Sequence, residues 1–192
     1  LAFSRNLVSI RVLQRVGVSR FIRYVEQLGF NTEDMQANLT LALGTHTYTP
    51  LDIASGYAIL ANDGFKVEPW LIERIEDAKG NIVFAADPLV ACPACENARQ
   101  GTTEMVRMED ILGTAVPEVR AAERVMDPRV AYIVSSFLRD AIQRGTGRRA
   151  RVLERDDIAG KTGTTNGPRD AWFSGFNRDL TTTAWIGFDD YS

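Results

Sequence analysis

The stretch Asp157-Ile158-Ala159-Gly160-Lys161-Thr162-Gly163-Thr164-Thr165 decides how this chain reads. A short apolar run leads into a cation, a glycine and a row of hydroxyls. A second strand pattern, Asp170-Ala171-Trp172-Phe173-Ser174-Gly175-Phe176, follows closely. Lys161, Thr162, Gly163 and Thr164 therefore fall on a predicted strand edge, with Thr165 beside them. Lysine supplies a compact charge, the threonines supply directional donors, and Gly163 lets a ligand approach the backbone. Such a surface suits a carboxylate held beside a reacting carbonyl. Lys161 is one of three lysines, with Lys66 and Lys79, in a chain whose other basic residues are arginines. Lys-Thr-Gly alone also describes a polar strand end, so its weight depends on what accompanies it.

Working outward, the last third predicts three antiparallel strands, at about 157–165, 171–176 and 180–188. Asn177-Arg178-Asp179 is a short hairpin connection. On the other side lies Gly145-Thr146-Gly147-Arg148-Arg149-Ala150-Arg151. Glycines with arginines suggest a phosphate loop, but the Walker lysine is missing and no strand leads through it into a helix. We read it as a solvated loop leading toward the Lys161 strand. Before it, Asp127-Pro128 starts a helix with Val130, Ile133, Val134, Phe137, Leu138 and Ile142 as its buried face, ended by Gly145.

The first half reads as helical. Ser4-Arg5-Asn6 opens a pattern carrying Leu7, Ile10, Val12, Leu13 and Val16, ended by Gly17. Ser19 is placed to cap a helix with Phe21, Ile22, Val25 and Leu28. Thr49-Pro50-Leu51-Asp52 is an N-cap, a proline at the first helical position and an acid in the first turn. That helix carries Ile53, Ala54, Tyr57 and Leu60 and ends at Asn62-Asp63-Gly64. A hairpin is expected from about Trp70 to Phe84, turning at Ala78-Lys79-Gly80-Asn81. About 88–124 is the least regular segment, read as a loop or insertion. The fold class is α+β, an antiparallel sheet packed with helices, in one domain over 1–192.

Composition is that of an ordinary globular chain: 192 residues, 45% hydrophobic and 24% charged. A net charge of −3 gives no reason to expect nucleic acid as a partner. No apolar run approaches the roughly 18–20 residues of a membrane span. Two cysteines, in Cys92-Pro93-Ala94-Cys95, cannot complete a four-ligand zinc site, and no metal or cofactor is expected. A local disulfide in an oxidising compartment is the favoured reading, with reduced thiols next. His46 is the only histidine, and Thr45-His46-Thr47-Tyr48 has no nucleophile elbow around it. It reads as a loop histidine.

Ser4-x-Asn6, a long interval and then Lys161-Thr162-Gly163 is the order of the last two signatures of the serine enzymes that penicillins acylate. The chain resembles the C-terminal part of the transpeptidase domain of the class A penicillin-binding proteins, of the 1A type. The resemblance is carried by Ser4-Arg5-Asn6-Leu7-Val8-Ser9, Ala42-Leu43-Gly44, Thr49-Pro50-Leu51-Asp52-Ile53-Ala54, Tyr57-Ala58 and Ala61-Asn62-Asp63-Gly64. It continues through Gly160-Lys161-Thr162-Gly163-Thr164-Thr165-Asn166, Asp170 to Phe176 and Trp185-Ile186-Gly187-Phe188-Asp189-Asp190. The family's first signature, Ser-x-x-Lys, is absent: no serine here has a lysine three residues later. The expectation is a fragment whose nucleophile and its lysine lie upstream of Leu1, inactive alone.

The resemblance implies a peptidoglycan D,D-transpeptidase that acts on D-Ala-D-Ala stem peptides and is covalently inhibited by β-lactams. It implies a proton shuttle at Ser4 and a substrate-amide contact at Asn6. Lys161 would supply positive potential. Thr162 and Thr164 would grip the carboxylate, with Thr165 nearby and Gly163 kept small. The Thr164 backbone N–H would form half the oxyanion hole. It further implies an upstream glycosyltransferase domain and a single-pass anchor holding the protein on the periplasmic face of the bacterial inner membrane. A serine β-lactamase, a D,D-carboxypeptidase or a penicillin-sensing module are the alternatives, although no acidic deacylation residue is identifiable.

Overall fold

Three antiparallel strands, β5 (Ala159–Thr164), β6 (Asp170–Phe176) and β7 (Thr181–Gly187), form a sheet in the order β5-β6-β7. These are the strands expected from the sequence. The register sets Lys161 opposite Ser174 and Gly163 opposite Trp172, then Trp172 opposite Trp185. Asn177 makes the β6–β7 turn, its side-chain oxygen accepting from the backbone N–H groups of Asp179 and Leu180. That Asx pattern lets a short polar connection reverse the chain. The computed structural model describes residues 1–99, 119–165, 167 and 169–188. Asn166, Asp189 and Asp190 of the family-like stretches lie outside the described residues, as does the 100–118 part of the expected irregular segment.

Helices cover the sheet. α1 (Asn6–Val16), α2 (Val18–Gln27), α3 (Pro50–Ala61) and α5 (Pro128–Gln143) belong to one compact unit with the three strands, made of Leu1–Gly64 and Val125–Ser192. α5 packs on β5, and α3 on β6 and β7. α3 starts as its sequence dictates. Thr49 accepts from the Asp52 N–H while the Asp52 carboxylate accepts from the Thr49 N–H, a reciprocal capping box. Ile59 is buried with Met126 and Ala131, flanked by Leu28, Leu60 and Val125. Gly64 ends the α3 turn at φ +94°, and a Cβ there would collide with the Met126 carbonyl oxygen. Only glycine satisfies both demands.

Three local expectations need correction. Ser19 lies inside α2, whose N-cap is Gly17, although Phe21, Ile22, Val25 and Leu28 are its half-buried stripe as expected. On α5 the buried residues are Ala131, Ser135, Leu138, Ala141 and Ile142, while Val130, Ile133 and Phe137 are exposed. The contact face of α5 is thus rich in small side chains, which let a helix approach a neighbouring element closely. The apolar stripe expected from the sequence therefore finds Leu138 and Ile142 but misses Ala131, Ser135 and Ala141. Arg148–Leu153, read as part of a solvated loop, forms a 3-10 turn.

The second compact unit is Phe65–Arg124. β1 (Phe65–Lys66) pairs antiparallel with β4 (Glu123–Arg124), and β2 (Arg74–Glu76) with β3 (Ile82–Ala85). The second pair is the expected hairpin, turned by Asp77, whose carboxylate accepts from the N–H groups of Lys79 and Asn81. The segment expected to be irregular contains α4 (Pro93–Arg99) and β4. Cys92 and Cys95 form a disulfide at the start of α4, the favoured of the two readings. Arg124 lies over the Phe65 ring and bonds Glu96 at 2.7 Å.

Candidate active site

Lys161 extends from β5 to the segment that precedes α1. Its Nζ donates to Ser4 Oγ at 2.5 Å, to the Thr162 carbonyl oxygen at 2.8 Å and to Thr146 Oγ1 at 3.4 Å. An ammonium has three protons, and here it has three acceptors. Partial burial pushes the Lys161 pKa below its ordinary value of 10.5, because desolvation disfavours the charged form.

Ser4 does not cap α1. The N-cap is Arg5, with no side-chain capping bond, and Ser4 sits at φ +47°. A non-glycine residue in that region carries backbone strain, which a rigid surround must hold in place. The Ser4 N–H bonds the Leu1 carbonyl at 3.1 Å, and the Thr146 N–H bonds the Ala2 carbonyl at 3.1 Å. The segment is therefore tied on two sides, and the Ser4 hydroxyl is turned to the lysine instead of to the helix end. Asn6 opens α1 two residues later, exposed.

The edge of β5 that pairs with no described strand is the second part of the site. The Thr165 N–H bonds the Asp170 carbonyl on the β6 side at 3.2 Å. In an antiparallel ladder, bonded and non-bonded residues alternate. The N–H and C=O groups of Thr164 and Thr162 therefore face away from β6, at the edge carrying the Lys161–Thr162 contact. Thr164 is exposed, and Gly163 leaves the edge low. A Cβ on Gly163 would stand 3.2 Å from Trp172 Cβ, a tight contact. Thr165 is engaged differently: its Oγ1 accepts from the Asp170 N–H at 2.9 Å, closing the β5–β6 connection.

Sequence reasoning passed over Thr146. Its Oγ1 lies 2.7 Å from Thr162 Oγ1. The only signal was a threonine between two glycines, which was read as solvated loop. It also passed over Asp170, a buried residue whose Oδ1 accepts from Trp185 Nε1 at 2.9 Å and so locks β6 to β7. His46 sits apart from this edge, in a cleft of about 540 Å³ with Asp34, Tyr48 and Asp52. Its ring packs edge-on against Tyr48. Among the described residues no group of acids, histidines and cysteines is arranged to hold a metal.

A cation, a strained serine and a threonine-lined strand edge are thus assembled from segments far apart in sequence, while no side-chain contact among the described residues ties Asn6 to them. The chain matches, over residues 1–187, the family described as the penicillin binding protein transpeptidase domain. It is 44% identical to penicillin-binding protein 1A of Pseudomonas aeruginosa over 205 residues, which cover 97% of this chain and 25% of that protein. The chain belongs to the penicillin-binding protein transpeptidase family.

Other relatives agree. Penicillin-binding protein 1A of Escherichia coli is 35% identical over 226 residues, covering 100% of this chain and 27% of that one. The crystal structure of penicillin-binding protein 1A from Haemophilus influenzae superimposes with a TM-score of 0.83 at 35% identity, covering 99% of this chain and 29% of that one. The α+β class and the likeness to the 1A type are those the sequence suggested. The chain spans about a quarter of the length of these curated relatives. No described helix is long and apolar enough to cross a membrane.

Proposed function

We propose that this chain supplies the second and third signatures of a peptidoglycan D,D-transpeptidase that β-lactams inhibit covalently. The observation that carries the reading is the Ser4–Lys161 contact at 2.5 Å beside that edge of β5. It joins a proton-transfer pair to a row of donors facing outward. The acylated serine comes from outside these 192 residues, since none of them forms Ser-x-x-Lys.

The reaction divides as follows. The serine oxygen bonds the penultimate D-Ala carbonyl carbon, and its proton passes to the signature lysine beside it. The tetrahedral oxyanion lies between the Thr164 N–H and the serine N–H. One such donor is worth about 2.7–4 kcal/mol of barrier. The C–N bond then breaks, and the leaving amine takes its proton through Ser4, which Lys161 keeps hydrogen-bonded. An acceptor amine reverses these steps on the acyl ester. Asn6 holds the substrate amide carbonyl. Thr162 and Thr164 hold the terminal carboxylate in the positive potential of Lys161, each charge-assisted bond contributing about 1.5–3 kcal/mol. Gly163 keeps the edge open, and Thr165 holds the end of the strand. A β-lactam presents the same carboxylate and carbonyl, but its leaving nitrogen stays tethered. The periplasmic side of the inner membrane, an anchor and a glycosyltransferase domain complete the reading, as parts of the longer protein.

The test uses the complete protein with labelled penicillin and with a D-Ala-D-Ala stem peptide plus an acceptor amine. We expect covalent labelling, a cross-linked product, and loss of both in Ser4→Ala and Lys161→Ala. Stoichiometric labelling that survives unchanged in both variants would remove these residues from the mechanism.

A further inference from the structure

We propose that Thr146 is a positioning residue of the anion grip: its hydroxyl turns the Thr162 hydroxyl so that Thr162 donates outward to a carboxylate. The inference rests on the carboxylate-binding reading above and adds a residue and a direction to it.

The argument starts with proton counting. Lys161 Nζ can only donate, so Thr146 Oγ1 accepts from it at 3.4 Å. A hydroxyl carries one proton. Between Thr146 and Thr162 Oγ1, at 2.7 Å, the geometry allows either hydroxyl to donate, and a hydroxyl that accepts from a cation is polarised into the better donor, which selects Thr146. Thr162 then accepts from Thr146, and its own proton points elsewhere. The chain of donors runs from Lys161 through Thr146 to Thr162, its polarity set by a cation at one end. An anion arriving at the exposed edge meets an O–H and not a lone pair. Successive bonds of one polarity also strengthen one another. The 3.4 Å contact is the longest in the set, so Thr146 acts mainly on Thr162 and less on the charge of Lys161.

The loop that carries Thr146 is built to hold it. A Cβ on Gly145 would collide with the Ala2 carbonyl oxygen, and one on Gly147 would stand 2.8 Å from Ile142 Cδ1. Both glycines are buried, whereas Thr146 between them is exposed. The Thr146 N–H bonds Ala2 and the Gly147 N–H bonds the Ala141 carbonyl at 3.0 Å. An exposed side chain on a backbone pinned at both ends does not owe its position to its own packing. It owes it to the two polar atoms it touches.

The test uses the complete protein and measures second-order acylation by a β-lactam and by the same β-lactam with its carboxylate methyl-esterified. Thr146→Val removes the hydroxyl, Thr146→Ser keeps it, and Thr146→Ala repeats the deletion should valine disturb folding. Thr162→Val and the double variant with Thr146→Val complete a cycle. For the free carboxylate, Thr146→Val and Thr146→Ala should lose about tenfold, one ordinary hydrogen bond. Thr146→Ser should stay within about threefold, and the ester should lose little in any variant. In the Thr162→Val background the Thr146 change should cost almost nothing, because Thr162 no longer has a proton to aim. A full loss in that background, or no rescue by serine, overturns the positioning role and leaves the grip standing. If Thr162→Val leaves the free-carboxylate rate unchanged, the grip itself fails and the inference falls with it.

Discussion

Ser4 Oγ and Lys161 Nζ lie 2.5 Å apart although the residues are 157 positions apart in the sequence. Nothing local brings them together. One stands on a strained segment before α1 and the other on a sheet edge, so the contact exists only in the folded chain. In the complete protein, Lys161→Met keeps most of the apolar stem and removes the charge and all three bonds. Acylation by a β-lactam should fall about 10²–10⁴-fold, the span of a positioned proton transfer. Lys161→Arg restores charge, but a planar fork does not reproduce three acceptors around one nitrogen, so it should recover only part of the rate. An arginine variant acylated at the wild-type rate would show that charge alone matters and that the Ser4 contact is incidental.

Gly145 tests how the Ser4 segment is held. Gly145→Ala pushes a methyl group into the Ala2 carbonyl oxygen and against Ala141 Cα at 2.8 Å. Overpacking of this kind costs about 1–3 kcal/mol. The way out is for Leu1–Ser4 to move, which pulls the Ser4 hydroxyl from Lys161. Thermal unfolding and acylation should therefore fall together in this variant. Unfolding that drops while acylation stays at the wild-type rate would mean that the Ala2–Thr146 bond does not govern Ser4.

Much of this arrangement is legible in the sequence, because it is local. Thr49, Pro50 and Asp52 write a helix start whatever surrounds them, and β5 to β7 announce themselves by alternation and by the Asn177 turn. The parts that were not legible depend on tertiary contact. Ser4 is a residue type that caps helices and also one that carries protons, and only its φ of +47° and its partner decide between them. α5 buries Leu138 and Ile142 together with Ala131, Ser135 and Ala141, small residues that an apolar stripe does not single out. Thr146 meets Thr162 across 16 positions, through a loop whose glycines say only that the backbone is crowded. Thr165 resembles its neighbours in sequence, yet its oxygen is used by the Asp170 N–H.

Tyr57 gives a pH signature of the α3–sheet contact. Its ring meets Phe176 edge-on at 6.3 Å, and burial pushes its pKa from 10.0 up to about 12. Between those values the folded chain keeps a proton that the unfolded chain has lost. The folded state then binds more protons, so stability falls as pH rises through this window and is fully present below it. The loss reaches up to about 2–3 kcal/mol by pH 12, at about 1.4 kcal/mol per pKa unit. Tyr24 and Tyr48 are raised too, and Lys161, lowered by burial from 10.5, acts in the opposite sense below that value. The difference between Tyr57→Phe and the parent isolates one group. Chemical denaturation at pH 9 and pH 11.5 should show a smaller decline in Tyr57→Phe, and equal declines would place the Tyr57 hydroxyl in water.

Thr164 tests the outer half of the grip. It is exposed at the edge of β5 away from β6, its side chain available and its N–H turned outward by the ladder's alternation. Two roles are assigned to it, and they reside in different atoms. Thr164→Val keeps shape and backbone while removing the hydroxyl. If that hydroxyl holds the carboxylate, acylation of the complete protein by a β-lactam should fall by about ten- to a hundred-and-fifty-fold, one charge-assisted bond of about 1.5–3 kcal/mol. The corresponding ester starts from a poorer rate because it offers no charge, and it should lose much less on the same change. The ligand thus serves as one partner in a double-mutant cycle. The oxyanion contribution of the backbone N–H is common to both ligands and cancels in the comparison. Equal losses for acid and ester would therefore mean that the Thr164 hydroxyl shapes the strand, and the carboxylate would have to be held by Thr162 in the potential of Lys161.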